Sequence, residues 1–291
     1  MPPKKFPAIA FISLLLGGIA IGFAAIFMRL SDVNPLASAF WRMALAAPVL
    51  WCWVFMVRRQ ERIDDKRTDF SRVLLLSGLF FAADLGTWHM SLHYTTVSNA
   101  TLLSNFAPVL IALWMWRVHK MRFTRIFLVG ILIALAGAIM LVGPNASHGS
   151  GKLLGDGLGL MSAVFYTGYM LAIKDACDQY ATARLLAWST SITAAVLLPC
   201  ALGMPGPFWP SSSAGWVTLV SLALVAQIGG QTLITYAFAH LPATLSSVSL
   251  LIQPLTATIA AWVIFHETIS PLQMAGGALL LCGIYLSKRG S

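Results

Sequence analysis

Apolar residues in this chain fall into ten runs: 7–28, 35–57, 72–91, 97–116, 124–142, 154–174, 184–203, 215–237, 242–264 and 270–287. A helix rises about 1.5 Å per residue, so about 20 residues cross the ~30 Å of hydrocarbon in a bilayer. Backbone in hydrocarbon must satisfy its own hydrogen bonds, which makes such runs helices rather than open strands. They also lack the alternation of about ten residues that marks a membrane barrel strand. The pattern predicts an all-α integral membrane protein with ten transmembrane helices and short loops. The longest polar insertion, Arg58 to Arg72, predicts a solvated loop with one surface turn of helix. Lys4 and Lys5 precede the first run, but the run is too long for a signal peptide and lacks a small-residue cleavage site, so an uncleaved first span is expected.

Polar residues inside these runs recur at helical spacing. Gln227, Gln231 and Thr235 mark one face of the eighth run, and Ser246, Ser249, Gln253 and Thr256 mark one of the ninth. Thr101, Ser104, Asn105 and Pro108 do the same in the fourth, Asp84, Trp88 and Ser91 in the third, and Ser162, Tyr166 and Tyr169 in the sixth. Polar faces avoid lipid. They either line a water-filled cavity or join helix to helix, as Ser and Thr commonly do in membranes. The four amides Asn105, Gln227, Gln231 and Gln253 favour a cavity, because an amide can serve both the ammonium and the carboxylate of an amino acid. Trp88, Tyr166 and Tyr169 would pack against an apolar part of a substrate or fill space. Pro108 and Pro254 each free a carbonyl inside a helix and predict kinks, either static or gating.

Two charged side chains stand inside spans, Arg42 and Asp84, each about 10 Å below the same surface when counted at the helical rise. The shared depth predicts a salt bridge. It is either a packing device between spans 2 and 3, or an outer gate whose carboxylate binds substrate or a proton, or a pair that snorkels into a vestibule.

Composition agrees with a membrane protein: 58% of residues are hydrophobic and 10% charged, with mean hydropathy +0.79. A soluble domain carries about 25% charged residues. The net charge of +9 would raise nucleic acid as a partner of a soluble protein, but here it follows from insertion. With the N-terminus in the cytoplasm, sixteen Lys and Arg fall on inside segments and two, Arg29 and Lys152, outside. That bias predicts an even number of spans with both termini cytoplasmic.

Shifting the second half by 146 residues superimposes Pro108 on Pro254, Trp116 on Trp262, Gly130 on Gly276 and Gly137 on Gly283. The halves are 7–143 and 154–288. After the fourth run the chain has Arg117, Lys120, Arg122 and Arg125, whereas after the ninth it has no Lys or Arg and carries Glu267. With five spans per half, that asymmetry predicts two repeats in opposite orientation, the arrangement that places a binding site between them near the midplane.

The stretch TYAFAHLPATLSSVSLLIQPLTATIAAWVIFHETISPLQMAGGALLLCGIYL resembles the EamA domain of the drug/metabolite transporter superfamily, and HYTTVSNATLLSNFAPVL resembles it more weakly in the first half. The resemblance implies ten spans as two inverted five-helix repeats around a central cavity, and export of amino acids or other metabolites, in the manner of bacterial aromatic and neutral amino-acid exporters. It implies a bacterial inner membrane. Gln253 stands where the family often has Glu before the proline, and Met121 where the second repeat has Glu267, so a coupling carboxylate at 253 is absent.

Other chemistry is thin. The cysteines Cys52, Cys177, Cys200 and Cys282 are scattered and predict neither disulfide nor metal. His89, His93 and His240 lack metal-ligand spacing and read as structural or interfacial. Trp51, Trp53, Trp114 and Trp116 read as an interfacial belt. The Asn145 sequon has meaning only in a secretory pathway. No nucleotide-binding loop, HExxH or GxSxG occurs, so no cofactor and no ATPase partner is expected, and the chain is expected to act as a monomer. The partners expected are a small-molecule substrate and the bilayer. Competing readings are a carrier of nucleotide sugars, cofactors or cationic drugs, and, more remotely, an intramembrane enzyme or a non-transporting sensor. Coupling, by proton antiport through Asp84 or by facilitated diffusion, stays open.

Overall fold

The computed structural model describes residues 7–63, 67–95, 97–142, 152–266 and 268–291. Lys4, Lys5, Asp64, Asp65, Lys66, Asn145 and Glu267 lie outside the described residues. Each of the ten apolar runs is helical. In chain order the helices are α1 (Ala8–Gly22), α2 (Ala24–Leu30), α3 (Pro35–Ile63), α4 (Arg72–Tyr94), α5 (Val97–Ser104), α6 (Ala107–Arg117) and α7 (Arg125–Val142). There follow α8 (Lys152–Gln179), α9 (Thr182–Gly203), α10 (Ser213–Ser221), a π-helical stretch Leu222–Gly230, α11 (Gln231–His240), α12 (Ala243–Ser249), α13 (Ile252–Phe265) and α14 (Pro271–Gly290). Among the described residues, six segments are long and apolar enough to cross a membrane: Ala8–Leu30, Pro35–Arg58, Arg72–Ser91, Thr182–Gly203, Ser213–His240 and Ala243–Phe265. Ala107–Arg117 and Arg125–Leu141 are shorter apolar helices.

Two features correct the sequence expectation. First, α3 continues to Ile63, so the first part of the polar insertion is helix. Arg, Gln and Glu are good helix formers and carry the helix past its apolar part. Second, several apolar runs are not single rods. The fourth breaks at Asn105–Phe106, the ninth at Leu250–Leu251, and the eighth contains the π stretch. Pro108 and Pro254 lie just beyond the two breaks, where the missing N–H leaves the preceding turn's carbonyl without its donor.

The landmarks repeat along the chain at the interval seen in the sequence. Val97 opens α5 and Ala243 opens α12, and Arg125 opens α7 and Pro271 opens α14, each pair 146 positions apart. Lys120 and His266, again 146 apart, both have φ of 54°, the left-handed region that non-glycine residues seldom enter. The packing carries the same pattern: α7 lies along α14 and α3 along α9, while α4 lies along α8 as α1 lies along α11 and the π stretch.

The α7–α14 seam shows how such packing is achieved. Hydrocarbon gives helices no hydrophobic reason to associate, so they gain contact through small residues that let backbones approach. A Cβ added to Gly276 would stand 2.6 Å from Leu141 N and 2.8 Å from Gly137 O, and one on Gly130 2.5 Å from Ser287 N. Gln273 caps the start of α14 and also donates Nε2 to Leu141 O at 3.1 Å. The outer faces carry large apolar side chains, as lipid contact requires: Ile9, Leu132, Val217 and Met274 are all more than half exposed.

The two ends of the bundle are tied by polar clasps. At one, Asp32 Oδ2 accepts from Ser211 N and Oγ at 3.0 and 2.8 Å, and Trp41 Nε1 donates to Phe208 O at 2.9 Å. The Ser211 hydroxyl, ahead of the opposing effect of burial, holds the Asp32 carboxyl below the usual carboxylate range. At the other, Tyr180 Oη donates to Asp69 O at 3.0 Å and Arg67 N to Gln179 O at 3.0 Å.

Gly137→Val should lower the stability of the folded protein by about 1–3 kcal/mol, the usual cost of overpacking. Gly157→Ala, whose Cβ meets nothing within 4 Å, should leave it unchanged. Thermal or SDS unfolding in lipid micelles reads the contrast, and equal stability of the two variants would contradict the seam.

Candidate functional site: a charged interior cavity

Between the helices lies a cavity of about 120 Å³. Water needs ~10–15 Å³ of such space per molecule, so several waters or a small metabolite fit. Its wall comes from both halves of the chain. The first half supplies Ile21 and Gly22 of α1, Ala24 and Ala25 of α2, Arg42 of α3, Phe81, Asp84, Leu85 and Trp88 of α4, Thr101 and Ser104 of α5, and Asn105 in the helix break. The second half supplies Ser162 and Tyr166 of α8, Gln231 of α11, and Gln253, Pro254 and Ala257 of α13. A smaller cavity beyond it is lined by Ser104, Asn105, Pro108, Tyr166, Ser247 and Gln253, among others.

Arg42 and Asp84 are only 4% and 7% exposed. The salt bridge expected from their common depth is not formed: no Arg42–Asp84 contact within 4.0 Å occurs. Each is met instead by a neutral group. Arg42 Nε donates to Gln227 Oε1 at 3.2 Å, and Gln227 Nε2 in turn donates to Thr190 Oγ1 at 3.0 Å. Ser162 Oγ donates to Asp84 Oδ1 at 2.6 Å. Gln227 lies in the π stretch Leu222–Gly230, and its side chain reaches Arg42 of α3. Depth alone, counted along α3 and α4, could not reveal this.

Aromatic rings form a wall beside the charges. Phe81 stacks on Tyr169 with centroids 4.2 Å apart and planes at 10°, and the Arg42 guanidinium lies 5.9 Å over Phe81. Gln231 Nε2 donates to Tyr169 Oη at 2.5 Å, and Gln253 and Tyr166 line the same cavity. On the α5 side, Asn105 Nδ2 and Thr101 Oγ1 are buried atoms with no hydrogen-bond partner among the described residues. A buried donor left unmade costs about 1–3 kcal/mol, so such groups at a cavity wall are ready for water or a ligand.

The structure thus brings Arg42, Asp84, Trp88, Ser104, Asn105, Tyr166, Gln231, Gln253 and Pro254 to one cavity wall. It puts Pro108 on the smaller cavity. Tyr169 and Gln227 are not in the lining and act one layer behind it, through Gln231 and Arg42. Ser249 is fully buried, donates to Leu245 O of its own helix at 2.9 Å, and is not a lining residue. Ser91 donates to Gly155 O at 2.7 Å and joins α4 to α8. His89 accepts the structural reading: it is 1% exposed with Nδ1 2.6 Å from Pro35 O. Sequence reasoning did not reach Phe81, Ile21, Gly22, Ala24, Ala25 or Thr190. The first span is apolar on every side and gives no polar stripe; its only signal is the glycine run ending at Gly22, where a Cβ would stand 2.9 Å from Gln253 O.

An all-helical chain with lipid-compatible outer faces and a charged, polar interior chamber walled by many helices defines the class of multi-pass membrane transport proteins. The model of the EamA-like transporter family matches residues 8–143 and again 153–289, and the chain belongs to that family. Among its relatives, an uncharacterized transporter of Archaeoglobus fulgidus is 27% identical over 273 residues, 91% of each chain. The pseudopaline exporter CntI of Pseudomonas aeruginosa is 25% identical over 228 residues, 78% of each. A probable terminal-alkyne amino-acid exporter of Streptantibioticus cattleyicolor is 27% identical over 225 residues, covering 75% of this chain and 74% of that one. A solved crystal structure matches with a TM-score of 0.76 at 20% identity over 96% of both chains, which is a likeness of fold.

In a background without the four native cysteines, Ser104→Cys should react with a water-soluble maleimide at least about tenfold faster than Ser249→Cys, as expected when one thiol faces water and the other is packed. Mass spectrometry of the purified protein follows both rates, and equal rates would contradict the assigned wall.

Proposed function

We propose that this protein exports small polar metabolites, amino acids of neutral or aromatic type foremost, by alternating access of the charged cavity to the two sides of a bacterial inner membrane. The observation that carries the reading is a cavity walled from both family-matched segments that holds Arg42 and Asp84 in the interior of an otherwise apolar bundle. Ionisable groups at such a depth are costly, roughly 2.5–3.5 kcal/mol each on insertion scales, and mark substrate or ion pathways.

In this reading the chain crosses the bilayer ten times, as two five-helix repeats, 7–143 and 154–288, in opposite orientation. The landmarks spaced by 146 residues support two repeats, and the family model matching twice supports them too. The basic loop Arg117–Arg125 against the loop at His266, which has no Lys or Arg, supports inversion, with both termini in the cytoplasm. Rocking of one repeat against the other would open the cavity first inward and then outward. The broken helices at Asn105 and Leu250 and the glycine seams are where backbones could slide. The relatives named as exporters, one of amino acids, support the direction and the substrate class, and the pseudopaline exporter keeps other polar metabolites in view. The chain works without an ATPase, a cofactor or a metal.

Purified protein in liposomes should exchange at least one labelled amino acid, and comparison with and without a pH gradient separates antiport from facilitated diffusion. Gln231→Leu and Gln253→Leu should each cut the exchange rate by about tenfold, one lost polar contact to a substrate or to the groups that position it, at unchanged expression. Unaltered exchange in both variants would remove the cavity from the transport path. Cysteines placed at Lys120 and at His266 should be labelled from opposite faces of sealed vesicles; labelling from one face would overturn the inverted repeats.

A further inference from the structure

Arg42 and Asp84 share one small cavity without touching, and each spends a single hydrogen bond on a neutral protein group. Arg42 uses Nε for Gln227, so the planar fork of Nη1 and Nη2, the part suited to a carboxylate, makes no protein bond among the described residues. Asp84 uses Oδ1 for Ser162, and Oδ2 likewise has no protein partner among the described residues. We propose that the cavity binds a compact zwitterion in one fixed orientation, its carboxylate on the Arg42 fork and its ammonium on Asp84 Oδ2. The proposal rests on the export reading and adds to it which chemical groups the substrate must carry and where each lies.

The argument is one of charge balance. A buried charge is tolerated when it is paired and hydrogen-bonded, and costly otherwise. A cation would complete Asp84 and leave Arg42 facing a like charge; an anion would do the reverse. A zwitterion completes both at once and brings no net charge into the bilayer interior. Holding the two protein charges apart requires that neither swing to the other. On one side the Arg42–Gln227–Thr190 chain anchors the guanidinium across α3, the π stretch and α9. On the other the short Ser162 bond anchors the carboxylate across α8 and α4. The rest of the wall includes Ile21, Leu85 and Trp88, which would receive an apolar side chain. Gln227 is then a positioning residue: it aims Arg42 and does not meet the substrate.

The test uses proteoliposomes exchanging whichever amino acid the wild-type protein moves, with three competitors: that amino acid unlabelled, its carboxamide (cation only) and its N-acetyl form (anion only). On the wild-type protein both single-charge analogues should compete at least about tenfold more weakly than the zwitterion, in line with the usual cost of leaving one partner of a buried charge pair unmade. Comparable competition by either analogue would overturn the proposal while the export reading stood. Failure of every amino acid to exchange would instead take down the amino-acid reading and this proposal with it. Two variants sharpen the assignment. Asp84→Asn should lose discrimination against the N-acetyl form and keep it against the carboxamide, and Arg42→Gln should do the opposite. Parallel loss against both analogues in both variants would mean that the pair merely shapes the fold. The wild-type competition decides the matter even if neither variant folds.

Discussion

The architecture turns on two charges kept apart inside an apolar bundle. Arg42 and Asp84 could have neutralised each other, since their helices α3 and α4 are packed together and both side chains are buried. A direct pair would be the simplest way to bury both. Instead α9 and the π stretch hold one, α8 holds the other, and both line an open cavity. A site that spends packing elements to prevent a salt bridge is a site for something that completes it.

Keeping that space open in hydrocarbon demands tight packing elsewhere. The glycine seams provide it. Gly130, Gly137, Gly276 and Gly283 bring α7 and α14 to backbone contact away from the cavity, and Gly17 brings α1 so close to the end of the π stretch that an added Cβ would stand 2.8 Å from Gly230 O. Rigid seams and interrupted helices then divide the work. The breaks before Pro108 and Pro254 interrupt the regular hydrogen bonding of these helices next to Asn105 and Gln253, which stand on the cavity wall. This is irregular backbone at the depth of the membrane, allowed because it lines a cavity and not lipid.

Much of the fold was legible because bilayer thickness imposes its period on sequence. The apolar runs became helices within a few residues, and the 146-residue register reappears in helix starts and in the left-handed residues Lys120 and His266. The polar stripes of α4, α5 and α8 pointed to residues that line the cavity because those stretches are regular helix, in which spacing reports facing. Reading failed where the helix was irregular or uniformly apolar. Gln227 sits behind the wall, bonded to Arg42 and Thr190, within a π stretch that nothing in LALVAQIGG announces. Ser249 turned back to its own carbonyls, a choice open to every serine in a membrane helix. The first span showed no polar side at all, so its part in the wall was invisible. The Arg42–Asp84 contact was expected from depth, and depth says nothing of the third and fourth groups that hold the two apart.

The claim that this chamber is the transport path is tested most directly from the two sides of the membrane. In sealed vesicles of known orientation, a cysteine placed at Thr101, on the cavity wall, is exposed to an impermeant thiol reagent on one face and then on the other. The account predicts reaction from both faces, slowed from both by saturating substrate. Reaction confined to one face, with and without substrate, would contradict it.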